Sequence, residues 1–309
     1  MKIRSLWISM MMVLLVVMGV ACQPAAEQDK SWSTPRKPDS INYPISVVDQ
    51  SGQKLTIEKE PQRIVSLIPS NTELAYALQL DQKMVGVTAN DDYPEQVKSL
   101  PKVGDLNINI EQVMAQKPDL VLASPLNGKE TITKLQQLGV PVLVLNAESL
   151  KEVYASINIL SQVTNRTYIA DQVVANMQAK LRNVAALLTQ VPQEKRLKVW
   201  MDDSSFYTPG SGTLQNELIE LAGGKNVAAS QKGWVQVSAE QVIGWNPDAI
   251  LFTYGDPKSV ESRPGWNQIK AVQQKKYITV DANLISRPGP RVIDGVEQMA
   301  KQLYPELFR

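Results

Sequence analysis

Apolar and polar positions along the chain fall into short blocks whose period changes from one block to the next. Ile45 to Val48 and Leu55 to Ile57 flank the turn-forming run Asp49-Gln50-Ser51-Gly52 and predict a β-hairpin. The apolar runs at Arg63 to Leu67, Val140 to Leu145, Leu197 to Met201 and Tyr277 to Val280 are too short for buried helices and predict strands covered on both faces. Amphipathic segments lie between them. One opens at Ser70-Asn71-Thr72-Glu73, whose Ser and Glu have capping-box spacing, and another runs from Leu214 to Ala222 and stops at Gly223-Gly224. The longest, Asn165 to Leu188, lacks Pro and Gly and carries apolar residues at Ile169, Val173, Val174, Met177, Leu181, Val184, Ala185 and Leu188. That spacing predicts a helix of more than six turns.

One of these blocks occurs twice. Residues 111–122 (Glu-Gln-Val-Met-Ala-Gln-Lys-Pro-Asp-Leu-Val-Leu) align without gaps on residues 240–251 (Glu-Gln-Val-Ile-Gly-Trp-Asn-Pro-Asp-Ala-Ile-Leu), an offset of 129 positions. Each copy predicts a short helix that ends before Pro-Asp and then a buried strand, because proline cannot continue the helix. A strand and a helix precede each copy, and a further strand follows it. Strands alternating with helices mean parallel sheets, so the chain is predicted to be α/β, with two lobes. Residues 43–150 form the N-terminal lobe, 151–194 a closing helix and a long linker helix, and 195–309 the C-terminal lobe. A single helix as the connection predicts that the lobes move only slightly against each other.

The first 22 residues read as an export signal. Lys2 and Arg4 precede the apolar stretch Leu6 to Val20, which is shorter than the ~20 residues a bilayer span requires. Cys22 directly follows Gly19-Val20-Ala21 in a segment that resembles the bacterial lipoprotein signal, which makes it the candidate lipidation site; ordinary cleavage after Ala21 is the alternative. Residues 23–42, polar and with Pro24, Pro35 and Pro38, predict a disordered tether. With 32 Lys and Arg against 31 Asp and Glu, the chain carries no field that would recruit nucleic acid. Cys22 is the single cysteine and histidine is absent, which excludes an internal disulfide, His-based triads and His-ligated zinc, copper or haem. No cluster with metal-ligand spacing stands out, so neither a resident metal nor a cofactor is expected. The rival class is an exported α/β hydrolase, but Gly210-Ser211-Gly212 lacks the spacing of a nucleophile elbow. The carboxylate pairs Asp91-Asp92 and Asp202-Asp203 read more readily as helix-capping, water-binding groups than as acid–base groups.

Residues 63–73 (Arg-Ile-Val-Ser-Leu-Ile-Pro-Ser-Asn-Thr-Glu), Asp92-Tyr93-Pro94, the two repeats, residues 233–238 (Gly-Trp-Val-Gln-Val-Ser) and residues 287–291 (Arg-Pro-Gly-Pro-Arg) carry a resemblance to a known family. The chain resembles the cobalamin and iron-siderophore class of ABC-transporter solute-binding proteins, the periplasmic binding proteins with a single-helix linker. The resemblance implies two Rossmann-like lobes joined by one long helix, a ligand cleft between them, and no catalysis. It implies a monomer outside the cytoplasm, tied to the membrane by a lipid anchor. A small-molecule ligand, a dimeric permease and its ATPase subunits would be the partners. The implied ligand is of cobalamin type or a ferric chelate, with a ferric siderophore or haem as the alternative. Asn90 and Asp105 stand where cobalamin binders of this class look richer in aromatics.

In open α/β sheets ligands bind beyond the carboxyl ends of the strands. That rule selects Asn90, Tyr93 and Asp105 in the N-terminal lobe and Phe206, Tyr207, Trp234, Tyr254 and Arg287 in the C-terminal lobe as ligand-binding candidates. The aromatics offer flat faces with few torsions to freeze; for Phe206, packing between helix and sheet is an equal expectation. Arg287 and Arg291 flank a Pro-Gly-Pro turn. Either guanidinium can grip an anion, while Arg291 is expected to brace the turn or to pair with Asp281 and Asp294. Glu111 and Glu240 hold matching places in the repeat. Carboxylates there favour the helix dipole, and the resemblance implies that both also dock against permease arginines.

Overall fold

The computed structural model describes residues 41–254 and 256–309; the export signal, Cys22 and residues 23–40 lie outside them. The predicted hairpin forms as β1 (Ile45–Val48) and β2 (Lys54–Ile57), paired antiparallel. Next come β3 (Ile64–Ser66), β4 (Met84–Gly86), β5 (Leu120–Ala123) and β6 (Val142–Val144), a parallel sheet in the order β4-β3-β5-β6. Its helices are α1 (Pro69–Ala77), α2 (Ile110–Ala115) and α3 (Lys129–Gln137). Two further helices, α4 (Leu150–Thr164) and α5 (Thr167–Leu188), lead to the second sheet. There β7 (Lys198–Asp202), β8 (Tyr207–Pro209), β9 (Lys225–Asn226), β10 (Trp234–Gln236), β11 (Ala249–Phe252) and β12 (Tyr277–Thr279) alternate with α6 (Leu214–Leu221), α7 (Ala239–Trp245), α8 (Lys270–Gln273), α9 (Ala282–Ser286) and α10 (Val292–Leu303). Strands β9-β7-β11-β12 lie side by side and parallel, while β8 and β10 form a separate antiparallel ribbon.

Both sheets follow one path. The first strand is central, the second lies on one side of it, and the third and fourth extend the other side. The sequence repeat covers the third strand of each sheet, and its physical content is the same in both. Lys117 (φ 49°) and Asn246 (φ 46°) end α2 and α7 in the left-handed conformation, immediately before Pro118 and Pro247. The aspartate after each proline then ties down the start of the central strand. Asp119 Oδ1 accepts from the Arg63 N–H at 2.7 Å, and Asp248 Oδ2 accepts from the Lys198 N–H at 2.9 Å. The basic side chains return to the helix ends. The Arg63 guanidinium donates to the Gln116 carbonyl at 2.6 Å, and Lys198 Nζ donates to the Trp245 carbonyl at 2.9 Å. Carbonyls at the C-terminal ends of α2 and α7 are satisfied by the cation that leads the central strand of each sheet.

Two boundaries differ from expectation, each for a local reason. α5 begins at Thr167 because Asn165 is left-handed (φ 56°) and closes α4, while its Oδ1 accepts the backbone N–H of Ile41 at 3.2 Å. The capping box predicted at Ser70 and Glu73 does not form. α1 starts at Pro69, whose missing N–H needs no cap, and its N-cap Ile68 has no side-chain acceptor. Glu73 is thereby free for another role. α5 itself buries Ala170, Met177, Val184 and Leu188, a spacing of seven, seven and four along one stripe. These residues belong to one apolar cluster that runs from Ile64, Leu120 and Leu143 of the first sheet to Val199, Leu251 and Ile278 of the second. Continuous packing through the linker resists large hinge motion.

Candidate ligand cleft

The carboxyl ends of the two sheets meet. Ser70, Ser124 and Leu145, each at or just after a strand of the first sheet, share a cavity of about 170 Å³ with Ser286, Arg287 and Pro288 of the second lobe. On the first lobe the loops display Tyr93, Leu106 and Leu126, which are 45%, 86% and 83% exposed. Leu106 sits on a tight loop that only glycine permits at its start. Gly104 has φ +123°, and a Cβ there would meet the Asn107 carbonyl oxygen at 2.4 Å. Asp105 Oδ1 accepts the Asn107 N–H at 2.8 Å, so this predicted ligand residue shapes the loop while remaining exposed. Asn90, also exposed, has its side chain free of any described intramolecular bond; its N–H donates to Thr88 Oγ1.

On the second lobe the β8–β10 ribbon does the displaying. Gln236 stands opposite Tyr207, and Trp234 opposite Pro209. Alternation therefore puts Tyr207, Trp234 and Gln236 on one face and Thr208 and Val235 on the other. Thr208 is fully buried, whereas Tyr207 and Trp234 are 43% and 44% exposed. Gly233, at φ +72°, supplies the turn into Trp234. Asp203 Oδ1 accepts the N–H groups of Ser205 and Tyr207 at 2.9 and 3.0 Å, which fixes the approach to Tyr207. Tyr254, beyond β11, is exposed, and its carbonyl accepts from Ser204 Oγ.

Phe206 is placed differently from its aromatic neighbours. At φ 63° its ring turns inward, 6.2 Å from Trp200 and 5.9 Å from Trp266, with Arg263 Cζ 4.9 Å from its centroid. Packing inside the lobe, the equal expectation for this residue, describes its surroundings. Arg263 also donates to Asp202 at 2.8 Å. Burial pushes the Asp202 carboxyl above the ordinary range, and the charge of Arg263 only partly opposes this. The adjacent-aspartate pairs thus have separate tasks: Asp91 Oδ2 accepts from the Thr88 N–H, Asp202 holds Arg263, Asp203 shapes a turn, and Asp92 joins an ion-pair network.

That network bridges the lobes. Glu73, only 2% exposed at its side chain, accepts from Arg287 Nη1 at 2.8 Å and from Arg291 Nε and Nη2 at 2.8 and 2.6 Å. Arg287 also reaches Asp92 Oδ1 at 2.6 Å, and the Tyr93 ring lies 3.8 Å from Arg291 Cζ. The hydrogen bond from Arg287, followed by its positive charge, outweighs burial and holds the Asp92 carboxyl below the ordinary carboxylate range. Burial disfavours the charged forms of Arg287 and Arg291, yet their carboxylate partners keep both above the ordinary guanidinium value. The partners expected for Arg291 are corrected: Asp294 pairs with Lys180, and Asp281 caps α9. Glu73 escaped the sequence reading because its spacing from Ser70 mimicked a cap. Two arginines held on a rigid Pro-Gly-Pro turn were the signal that a buried carboxylate had to face them. Beside the network a cavity of about 540 Å³ is lined by Tyr76, Asp81, Gln82, Tyr93, Leu100 and Arg291, among others.

Glu111 and Glu240 are exposed in the first turns of α2 and α7. Asn109 accepts from the Gln112 N–H, and Ser238 forms a capping box with Gln241. A hydrogen bond from the Ser238 side chain is the main reason the Glu240 carboxyl lies below its ordinary range. α2 follows the Leu106 loop and α7 follows the Trp234 strand, so each glutamate stands just past a segment that displays an exposed large apolar side chain.

The model of a family described as periplasmic binding protein matches residues 64–284. An ABC transporter substrate-binding lipoprotein of Bacillus subtilis (strain 168), YvrC, is 40% identical over 316 residues, covering 100% of this chain and 99% of its own. A vitamin B12-binding protein of Pectobacterium carotovorum subsp. carotovorum is 31% identical over 249 residues, covering 79% and 88%. The crystal structure of the periplasmic vitamin B12 binding protein BtuF of Vibrio cholerae superposes with a TM-score of 0.67 at 30% identity, over 79% of this chain and 97% of that one. Matched in its sequence repeat, in its paired parallel sheets and over nearly three quarters of its length, the chain belongs to the periplasmic binding protein family of ABC-transporter solute-binding proteins.

Proposed function

We propose that the chain captures a cobalamin-type ligand between its lobes and delivers it to a membrane permease. The observation that carries this reading is the pair of apolar displays at the meeting strand ends: Tyr93, Leu106 and Leu126 on one lobe, Tyr207, Trp234 and Tyr254 on the other. Exposed aromatics and aliphatics grouped at the loops of a sheet's carboxyl end are what a large ligand with flat apolar faces requires, since each ring buries much area at little entropic cost. Asn90, Asp105 and Arg287 complete the proposed set as polar neighbours, and Phe206 supports the wall from beneath. The resemblance to vitamin B12-binding relatives at 31% identity supports the same class of ligand.

In this reading Cys22 carries the lipid that holds the protein on the outer side of the membrane, residues 23–42 are the tether, and the protein acts as a monomer. Glu111 and Glu240 dock on arginines of a two-fold permease served by ATPase subunits. Their matching positions in the repeat support this, because two like carboxylates on symmetry-related helices suit a symmetric partner. The test is uptake of radiolabelled cyanocobalamin by cells that depend on this chain. A Glu111→Lys/Glu240→Lys variant is expected to retain the ligand in dialysis while uptake falls at least tenfold. Undiminished uptake would refute the docking role.

A further inference from the structure

The cavity of about 540 Å³ beside the inter-lobe network shares no lining residue with the space of about 170 Å³ where the strand ends meet, and exceeds it in volume. Both lobes contribute its walls. Tyr76, Tyr93 and Leu100 come from the first lobe, and Pro290 and Arg291 from the second. Tyr76 and Leu100 also pack against the apolar cluster of the core, so the walls they form are held in place. A volume of this order suits a small molecule.

The charges at these walls do not balance. Arg291 is taken up by Glu73, and together with Arg287 and Asp92 they close a network of two cations and two carboxylates. Asp81 stands outside that network. It is exposed at the cavity wall, and its described side-chain partner is a neutral amide, Gln82 Nε2, which donates to Oδ2 at 2.9 Å. The lysines of the flanking sequence are engaged elsewhere: Lys83 pairs with Glu60, Lys98 with Glu95, and Lys102 Nζ donates to the Val97 carbonyl. α1 ends in the same wall, through Ala77 and Gln79, with no basic residue in its last turn. The partial negative charge of that helix end therefore adds to the charge of Asp81. Tyr76 registers the sign: burial, and after it the charges of Asp81 and Asp91, push its phenol above the ordinary value. Burial raises the Asp91 carboxyl as well, so Asp81 and the helix end are the negative groups on which the site relies.

We propose that this cavity is a second binding site, separate from the cleft, for a small organic cation that carries an ammonium group on an apolar body. The ammonium is matched by Asp81, the end of α1 and the phenol face of Tyr76; the body is matched by Leu100 and Pro290. A neutral molecule of the same shape finds the apolar walls but gains nothing from the charge or the ring faces. Because Pro290 and Arg291 belong to the second lobe, the occupant touches both lobes beside the bridge that Glu73 makes.

Ligand-detected NMR titration of the full chain in non-ionic detergent tests this with two probes of one shape. Choline carries the charge, and 3,3-dimethylbutan-1-ol replaces its nitrogen with carbon. Choline is expected to bind saturably and the alcohol at least tenfold more weakly. Asp81→Asn should weaken choline about fivefold and Asp81→Lys should abolish its binding, both without a change in unfolding midpoint because the residue is exposed. Trp234→Ala should leave the choline Kd within twofold, since that ring does not line the cavity. Equal binding of the two probes, an Asp81→Asn Kd within twofold of wild type, or a loss confined to Trp234→Ala overturns the proposal, the last by placing the cation in the cleft. A folded wild type that shows no saturation by about 50 mM choline overturns it too. None of these outcomes bears on the cleft's own ligand.

Discussion

Glu73→Gln changes one atom in each inter-lobe bridge and should loosen the molecule measurably. In the wild type the buried carboxylate accepts three charge-assisted bonds, two from Arg291 and one from Arg287, at 2.6 to 2.8 Å. The amide keeps the shape but removes the charge and turns one acceptor into a donor aimed at a guanidinium. Removing one partner of a buried ion pair costs about 3–5 kcal/mol. Arg287 retains Asp92 and both guanidiniums reach some water, so the expected loss is about 2–3 kcal/mol. For a chain of this size each kcal/mol moves Tm by about 2–4 °C, which predicts a fall of about 5–10 °C by calorimetry. A double-mutant cycle with Arg291→Gln isolates the pair, with an expected coupling of at least ~1.5 kcal/mol. A Tm within 1 °C of the wild type, or strictly additive single substitutions, would refute the claim that Glu73 joins the lobes.

Three further outcomes follow from the same geometry. Asp92 has a lowered carboxyl pKa in the folded state, so its pairing with Arg287 contributes fully above the unfolded value of about 4 and is lost as pH falls through the folded value. Being half exposed, the pair is worth about 0.2–1 kcal/mol, and the difference in urea midpoint between wild type and Asp92→Asn should be present at pH 7 and vanish in acid. Asp119→Ala and Asp248→Ala each strand backbone N–H groups at the start of a central strand and should each cost about 1–3 kcal/mol in urea unfolding, whereas loss at one site alone would break the equivalence of the repeats. Cys22→Ser should abolish incorporation of labelled palmitate and release the protein from the membrane fraction; unchanged labelling would dismiss Cys22 as the anchor.

The architecture was legible because its signals are local and repeated. Buried parallel strands write themselves as apolar runs, and the Pro-Asp repeat marks the same staple between helix end and central strand in both halves. The β8–β10 ribbon went unforeseen because its strands are three residues each, too short for alternation to stand out. In the cleft, the rule that loops follow strands located Tyr207, Trp234 and Tyr254 on exposed surface, since it depends on chain order alone. It could not distinguish Phe206, whose left-handed backbone turns the ring inward. Nor could it pair Arg287 and Arg291 with Glu73, more than 200 positions away, because long-range ion pairs leave no period in a sequence. Leu106 and Leu126 were passed over as isolated aliphatics and became visible only as the most exposed large apolar side chains of the first lobe.

The central claim is that a ligand rests on the face formed by Tyr207 and Trp234, and calorimetric titration of the full chain with cyanocobalamin, alongside Trp234→Ala, tests it most directly. The account predicts saturable one-to-one binding by the wild type and at least tenfold weaker binding by the variant, about 1.4 kcal/mol or more, with no change in unfolding midpoint because the ring is almost half exposed. Equal affinity in the two proteins, or no binding by a folded wild type, would contradict it.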